Sequence, residues 1–328
     1  MRRRDFIALV GGVVAVPLAA PARAQTQSQA QAYPNRPITI IVPFGPGSGT
    51  DIVTRMIAQP LGIALNQSIV IDNRPGANGG IAAAYVAKAP PDGYTLLAST
   101  NSPHSANPFL LKNVGYDPVK DFVPITRIGS FTLMMVINPA LPAKTLPEFI
   151  AYAKAHPGEL TYGSGNTSGI LAGETLKRFA GIDVLQVPYK SVPPALNDVI
   201  AGRVSMCFSD LTPGLPHVKA GTLRALAITR LVRSALLPDL PTFDESGLTG
   251  FEVESWAGFF APAGTPAAIV SRLNGEMRKI IDDPKVKAQI ANVGFEAFSS
   301  TPEELAEFVK AQLAKSAKMI KDAGIEPE

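Results

Sequence analysis

The chain has 328 residues, 46% of them hydrophobic and 17% charged, with one cysteine and three histidines. That length suits roughly two domains of about 100–200 residues, and the apolar content excludes a disordered or collagenous chain. The lone cysteine excludes a disulfide framework, and three scattered histidines argue against a metal centre. The formal charge of +3 comes from the start of the chain.

Arg2, Arg3 and Arg4 precede an apolar run from Ile7 to Ala20, broken by Gly11, Gly12 and Pro17, and a small-x-small end at Ala22-Arg23-Ala24. This is the pattern of a secretory signal peptide, residues 1–24, cleaved after Ala24. Arg3-Arg4-Asp5-Phe6-Ile7 is similar to a twin-arginine export signal. The apolar run is too short for a membrane span of about 20 residues. Cleavage removes four arginines and one aspartate, which brings 30 basic against 27 acidic residues to parity. No electrostatic case then remains for nucleic acid or an anionic membrane surface. The mature chain is expected outside the cytoplasm, with no stable membrane insertion.

Residues 25–32 read as a linker. Ile38 to Val42 is a β-branched run expected to form a doubly buried strand. It leads through Pro43 to Asp51 into a helix that Pro60 should kink or end early. Strands follow at Ile69 to Ile71 and Thr95 to Ser99, separated by an Ala-rich helix to Lys88. Thr145-x-x-Glu148 predicts a capping box for a helix through Ala155. Leu160 to Tyr162 is a strand, Ser164 to Gly169 its turn, and Ile170 to Phe179 a helix. Val184 to Val187, Val204 to Phe208 and Leu223 to Ile228 are further strands. Thr301-Pro302-Glu303-Glu304 caps a long final helix.

This alternation predicts an α/β fold with mostly parallel sheets. Ile125 to Val136 and Phe251 to Pro262 could each cross between two lobes. The first lobe would then comprise residues 33–129 plus 255–328, and the second 130–254, with a cleft at the hinge.

Two turns carry the candidate chemistry. Gly45-Pro46-Gly47-Ser48-Gly49-Thr50-Asp51 follows a strand and opens a helix, where glycines admit a close ligand and unpaired N–H groups favour an anion. It lacks the spacing of a dinucleotide fingerprint and the Lys-Ser/Thr of a P-loop. Ser164-Gly165-Asn166-Thr167-Ser168-Gly169 has the same character. Each could be only a tight strand-to-helix turn; together, at the carboxyl ends of strands, they could face one cleft. No Gly-x-Ser-x-Gly elbow surrounds Ser48, Ser164 or Ser168. His104, in a loop near the turns, could touch a ligand; His156 suits a helix end and His217 a helix face.

The mature chain closely resembles the Bug-type, tripartite tricarboxylate transporter solute-binding proteins. The resemblance is carried in order by Tyr33-Pro34-Asn35-Arg36-Pro37-Ile38, Val42 to Asp51, Asn73-Arg74-Pro75-Gly76-Ala77, Pro91-Asp92-Gly93-Tyr94, Tyr116-Asp117-Pro118, Leu171-Ala172-Gly173-Glu174, Val187-Pro188-Tyr189-Lys190, Leu223-Arg224-Ala225-Leu226-Ala227 and Ala261-Pro262-Ala263-Gly264-Thr265-Pro266. It implies a two-lobed, periplasmic-binding-protein-like (type II) fold and a periplasmic receptor for a small carboxylate, an organic acid or amino acid. It also implies delivery to an integral membrane transporter, with no cofactor, metal or catalysis. The ligand-binding positions it implies are Phe44, Gly45, Pro46, Gly47, Ser48, Gly49, Thr50, Asp51, Ser99, Thr100, Asn101, Ser164, Gly165, Asn166, Thr167, Ser168, Tyr189, Ser209 and Asp210. Ser48 departs from a usual Gly, and Ser209-Asp210 from a frequent Asp-Asn pair. Arg74 could meet a distal carboxylate or brace its loop. Tyr189 and Lys190 could line the cleft or cap a strand, and Asp51 is a capping residue first. The alternatives are a solute sensor for a regulatory membrane protein, or a secreted α/β hydrolase.

Overall fold

Two β-sheets organise the chain. The computed structural model describes residues 33–327, so the leader and the linker lie outside the described residues. In chain order, β1 (Ile38–Val42), β2 (Ile69–Asn73), β3 (Thr95–Thr100), β4 (Phe122–Phe131), β10 (Ser255–Pro262) and β11 (Phe295–Ala297) build a six-stranded sheet ordered β11-β4-β10-β3-β1-β2. The second sheet holds β5 (Leu133–Ile137), β6 (Leu160–Ser164), β7 (Val184–Pro188), β8 (Met206–Asp210) and β9 (Arg224–Ile228), in the order β7-β6-β8-β5-β9. The α/β class stands, but the sheets are mixed, not mostly parallel. β1 pairs in parallel with β2 and β3, and β6 with β7 and β8, whereas β10 is antiparallel to both β3 and β4. The cause is the chain path. β4 leaves the first sheet and continues into β5 after the single residue Thr132, while β10 re-enters it from the other sheet, so the two run in opposite directions.

Side-chain caps open five of the ten α-helices among the described residues. In α1 (Gly49–Leu65) the Ser48 Oγ accepts from the Asp51 N–H. Pro60 does not end this helix, which runs on to Leu65 with Val53, Ile57, Leu61 and Leu65 all buried on one face. Their burial offsets the roughly 3 kcal/mol that an interior proline costs. Short helices α2 (Gly80–Ala87) and α3 (Asn107–Leu110) flank β3. For α4 (Leu146–Ala155), Thr145 caps the Glu148 N–H, yet the Glu148 carboxylate accepts from Lys144 N–H at 2.7 Å, so the expected capping box is half made. α5 (Thr167–Ala180) starts three residues before the expected Ile170, with Asn166 as its cap. α6 (Val192–Ile200) and α7 (Leu211–Lys219) complete the second sheet's cover, and His217 lies in the last turn of α7. α8 (Ala267–Asp282) and α9 (Pro284–Asn292) follow β10, and the full capping box of Thr301 and Glu304 opens α10 (Pro302–Asp322).

One core surrounds the first sheet, with Ile41, Leu97, Trp256, Phe260, Leu305 and Val309 buried together. Another fills the second around Met135, Phe149, Tyr162, Phe208 and Phe243. Trp256 is core, edge-on to Phe308 at 5.3 Å. Cys207 is a buried thiol, pushed up to about 12 by desolvation.

Candidate functional site

Strand order decides where the strand ends meet. In the first sheet the path steps from β1 to β2 on one side and to β3 on the other; in the second it steps from β6 to β7 and to β8. The gaps after β1, β3, β6 and β8 are therefore topological switch points, where side chains beyond the strand ends can converge. A closed cavity lies there, lined by Phe44, Ser48, Thr50, Thr100, Ser102, Phe131, Gly165, Asn166, Val192, Asp210 and Ser255. All four strand ends contribute to it. Its free volume, about 10 Å³ for a water-sized sphere, is room for roughly one water.

The turn after β1 is built around Asp51. Gly47 takes φ +79°, a left-handed conformation that favours glycine. Its N–H donates to Asp51 Oδ2 at 2.9 Å, while Arg55 Nε and Asn73 Nδ2 both donate to Oδ1 at 2.9 Å. Asn73 also donates to the Phe44 carbonyl at 2.9 Å. Burial alone would raise the Asp51 carboxyl, but the bonds from Arg55, Gly47 and Asn73 outweigh it and hold it below its ordinary range. Asp51 is thus an organiser of the turn and does not line the cavity.

The turn after β6 meets α6. Gly165 packs so tightly on the Ser191–Val192 backbone that a Cβ there would collide with it. Asn166 Oδ1 accepts from the Gly169 N–H at 2.8 Å, capping α5. The two sheets are tied beside the cavity: Thr167 N–H donates to Ser102 Oγ at 3.1 Å, and Asn101 Nδ2 to Ser168 Oγ at 3.0 Å. Ser255 Oγ donates to Asn101 Oδ1 at 2.7 Å. The first turn also approaches α6, since a Cβ on Gly45 would lie 2.9 Å from Ser191 Oγ.

The end of β8 differs. Asp210 is the N-cap of α7 but makes no capping bond, and its buried Oδ1 has no partner. The reason is local: Pro213 at the third helical position has no N–H to offer. Ser191 before α6 likewise makes no capping bond, with Pro193 and Pro194 behind it. Desolvation pushes the Asp210 carboxyl up to about 7. No Lys, Arg or His lines the cavity.

The two turns therefore share one space. Of the sequence-derived positions, Phe44, Ser48, Thr50, Thr100, Gly165, Asn166 and Asp210 line it. Asn101, Thr167 and Ser168 hold the sheets together around it, and Ser99 lies behind, 2.6 Å from His104 Nδ1. His104 is fully buried, in a π-helical turn and not a loop, stacked on Phe260 at 3.8 Å and lowered to about 3 by desolvation. Ser164 accepts from Gln186, and Ser209 donates to the Asp210 carbonyl. Tyr189 donates to Asp198 at 2.6 Å and lines a separate surface depression; Lys190 is exposed. Arg74 braces its own loop, bonded to Asp72 and lying 3.6 Å from the Tyr85 ring centroid. Ser102, Phe131, Val192 and Ser255 are additional lining residues. Ser102 sits in a turn whose polarity points to it; Phe131 and Ser255 join the site only through the long-range pairing of β4 with β10 inside the six-stranded sheet.

A larger groove of about 700 Å³ runs along α1 and β2, from Arg55 to Ile71, but it is open and gathers no helix starts. Among the described residues no His/Cys/Asp/Glu group could hold a metal, and no helix is long and apolar enough to cross a membrane.

Residues 53–325 match the model of the tripartite tricarboxylate transporter family receptor. BugT of Bordetella pertussis is 33% identical over 329 residues, covering 99% of both chains. A Rhodopseudomonas palustris protein solved with adipate is 37% identical, with TM-score 0.88 over 90% of this chain and 100% of that one. The periplasmic binding protein BugD is 34% identical, with TM-score 0.87 over 90% and 100%. MatC of R. palustris, solved with bound malate, is 31% identical, with TM-score 0.83 over 88% and 100%.

Proposed function

The chain belongs to the tripartite tricarboxylate transporter receptor family, and on that premise we propose that it is an exported receptor for a small carboxylate, which it delivers to a membrane transporter. The observation that carries this reading is the convergence of helix starts α1, α5, α6 and α7 on one buried cavity without a basic side chain. Helix N-termini and glycine-rich turns hold an anion through oriented N–H groups, each start contributing roughly half a positive charge. The adipate and malate of the two R. palustris proteins support the same ligand class.

The leader directs export, with cleavage after Ala24 and the twin-arginine pattern as the route. The two sheets act as lobes, residues 33–129 plus 255–328 against 130–254, that close on the solute. A ligand bound better by the closed form stabilises that form by its differential affinity. Catalysis is not part of this reading: the Ser99–His104 pair is buried without access to the cavity.

A calorimetric and thermal-shift screen of the mature chain against mono- and dicarboxylates, amino acids and aromatic acids tests this. A solute at 100 times its Kd stabilises the folded state by about 2.7 kcal/mol. If no acid shifts the melting point while esters or amides are turned over, the receptor reading fails.

A further inference from the structure

Resting on the carboxylate-receptor reading, we propose that Asp210 sets specificity: the solute carries an ammonium group beside its carboxylate, as an amino acid does, and Asp210 accepts from that ammonium.

Asp210 is 6% exposed, lines the cavity, and has an unpartnered buried Oδ1. An unpaired buried acceptor is costly, so such a group in a native site calls for a partner. The protein withholds one. The Asp210 side chain makes no capping bond to α7, where Pro213 deletes a donor, and no cationic side chain lines the cavity. What faces it is the start of α1: Oδ2 would lie 3.0 Å from a Cβ on Gly49, which is one reason that position is glycine. A helix start supplies only a partial charge.

Charge balance then selects the ligand. The turn donors and helix starts accommodate one carboxylate; Asp210, once ionised above about pH 7, puts a second negative charge in the same closed space and repels it. A zwitterion resolves both demands, its carboxylate on the N–H groups and its ammonium on Asp210. A dicarboxylate satisfies the N–H groups but leaves Asp210 without a donor.

The test uses calorimetry on the mature chain with matched pairs: L-glutamate and glutarate, L-aspartate and succinate, L-leucine and 4-methylpentanoate, L-phenylalanine and 3-phenylpropanoate. At least one amino acid is expected to bind about tenfold or more tightly than its deaminated partner, a preference of about 1.4 kcal/mol. Asp210→Asn, which keeps the shape and removes the charge, should erase that preference. Equal or tighter binding of the deaminated acids, or a preference that survives in Asp210→Asn, overturns the assignment and leaves the carboxylate receptor standing. The wild-type comparison needs no variant, so it decides even if Asp210→Asn folds poorly. Failure of every acid to bind overturns both readings.

Discussion

Asp51 and Asp210 are two buried carboxylates at helix starts on opposite sheets, and their surroundings are opposed. Asp51 accepts three hydrogen bonds, from Gly47, Arg55 and Asn73, and is held below its ordinary range. Asp210 makes no capping bond, leaves Oδ1 without a partner, and is pushed up to about 7. The contrast teaches that burial does not determine an acid's role. A carboxylate whose oxygens are occupied builds the local backbone, whereas one left without donors is available to something that is not protein.

Substitutions can break that contrast. The largest effect is expected from Asp51→Ala, which strands the Gly47 N–H and frees Asn73 and Arg55. Denaturant titration should show a loss of about 2–4 kcal/mol; an unchanged midpoint would mean that the turn holds itself. Asp51 stability has a pH signature: it is complete above the unfolded value near 3.8 and disappears as pH falls through the lower folded value.

Next is Ser48→Asp. Aspartate caps a helix as well as serine, so the melting profile should survive. A charge added at the cavity should weaken carboxylate binding about 100-fold, close to 3 kcal/mol. Retained affinity would remove this turn from the site.

Asp210→Asn should stabilise the ligand-free protein by about 1–3 kcal/mol at pH 8, because it removes an unpaired buried charge. The sign follows from proton binding. Between the unfolded value near 3.8 and the folded value near 7, the native chain binds more protons than the unfolded one, so stability falls as pH rises through that window. Urea midpoints measured across pH 4–8 should lose this downward component in the variant; an unaltered slope would put Asp210 in contact with a donor.

The smallest effect is expected from Pro213→Ala, which restores an N–H at the third position of α7. Asp210 should then turn back to cap its own helix, adding about 0.5–2 kcal/mol of stability and weakening solute binding. Calorimetry that shows unimpaired binding would separate the cap from the site.

Much of this architecture was legible locally. Ile38 to Val42 could only bury as a strand, and Thr301 with Glu304 announced the last helix. Thr145 forms only half of the box its sequence predicts, because Glu148 has a second N–H in reach, that of Lys144. Pairing direction was not legible: whether β10 lies parallel or antiparallel to β3 depends on a return path of more than a hundred residues. The same holds for the site. Ser48 and Asn166 announce themselves as polar residues before helices, whereas Phe131 and Ser255 reach the cavity only through long-range register. The proline that disarms the Asp210 cap was in plain view, but its meaning needed the helix boundary at Leu211.

The position of β10 has a consequence for synthesis. It is an interior strand of the six-stranded sheet, hydrogen-bonded to β3 and β4 on its two sides, yet it leaves the ribosome after the whole five-stranded sheet. Until about residue 262 has emerged, β3 and β4 expose open edges and apolar faces, which makes the nascent chain slow to mature and prone to aggregate. A fragment ending before Ser255 would keep both edges open and should be cleared by proteases.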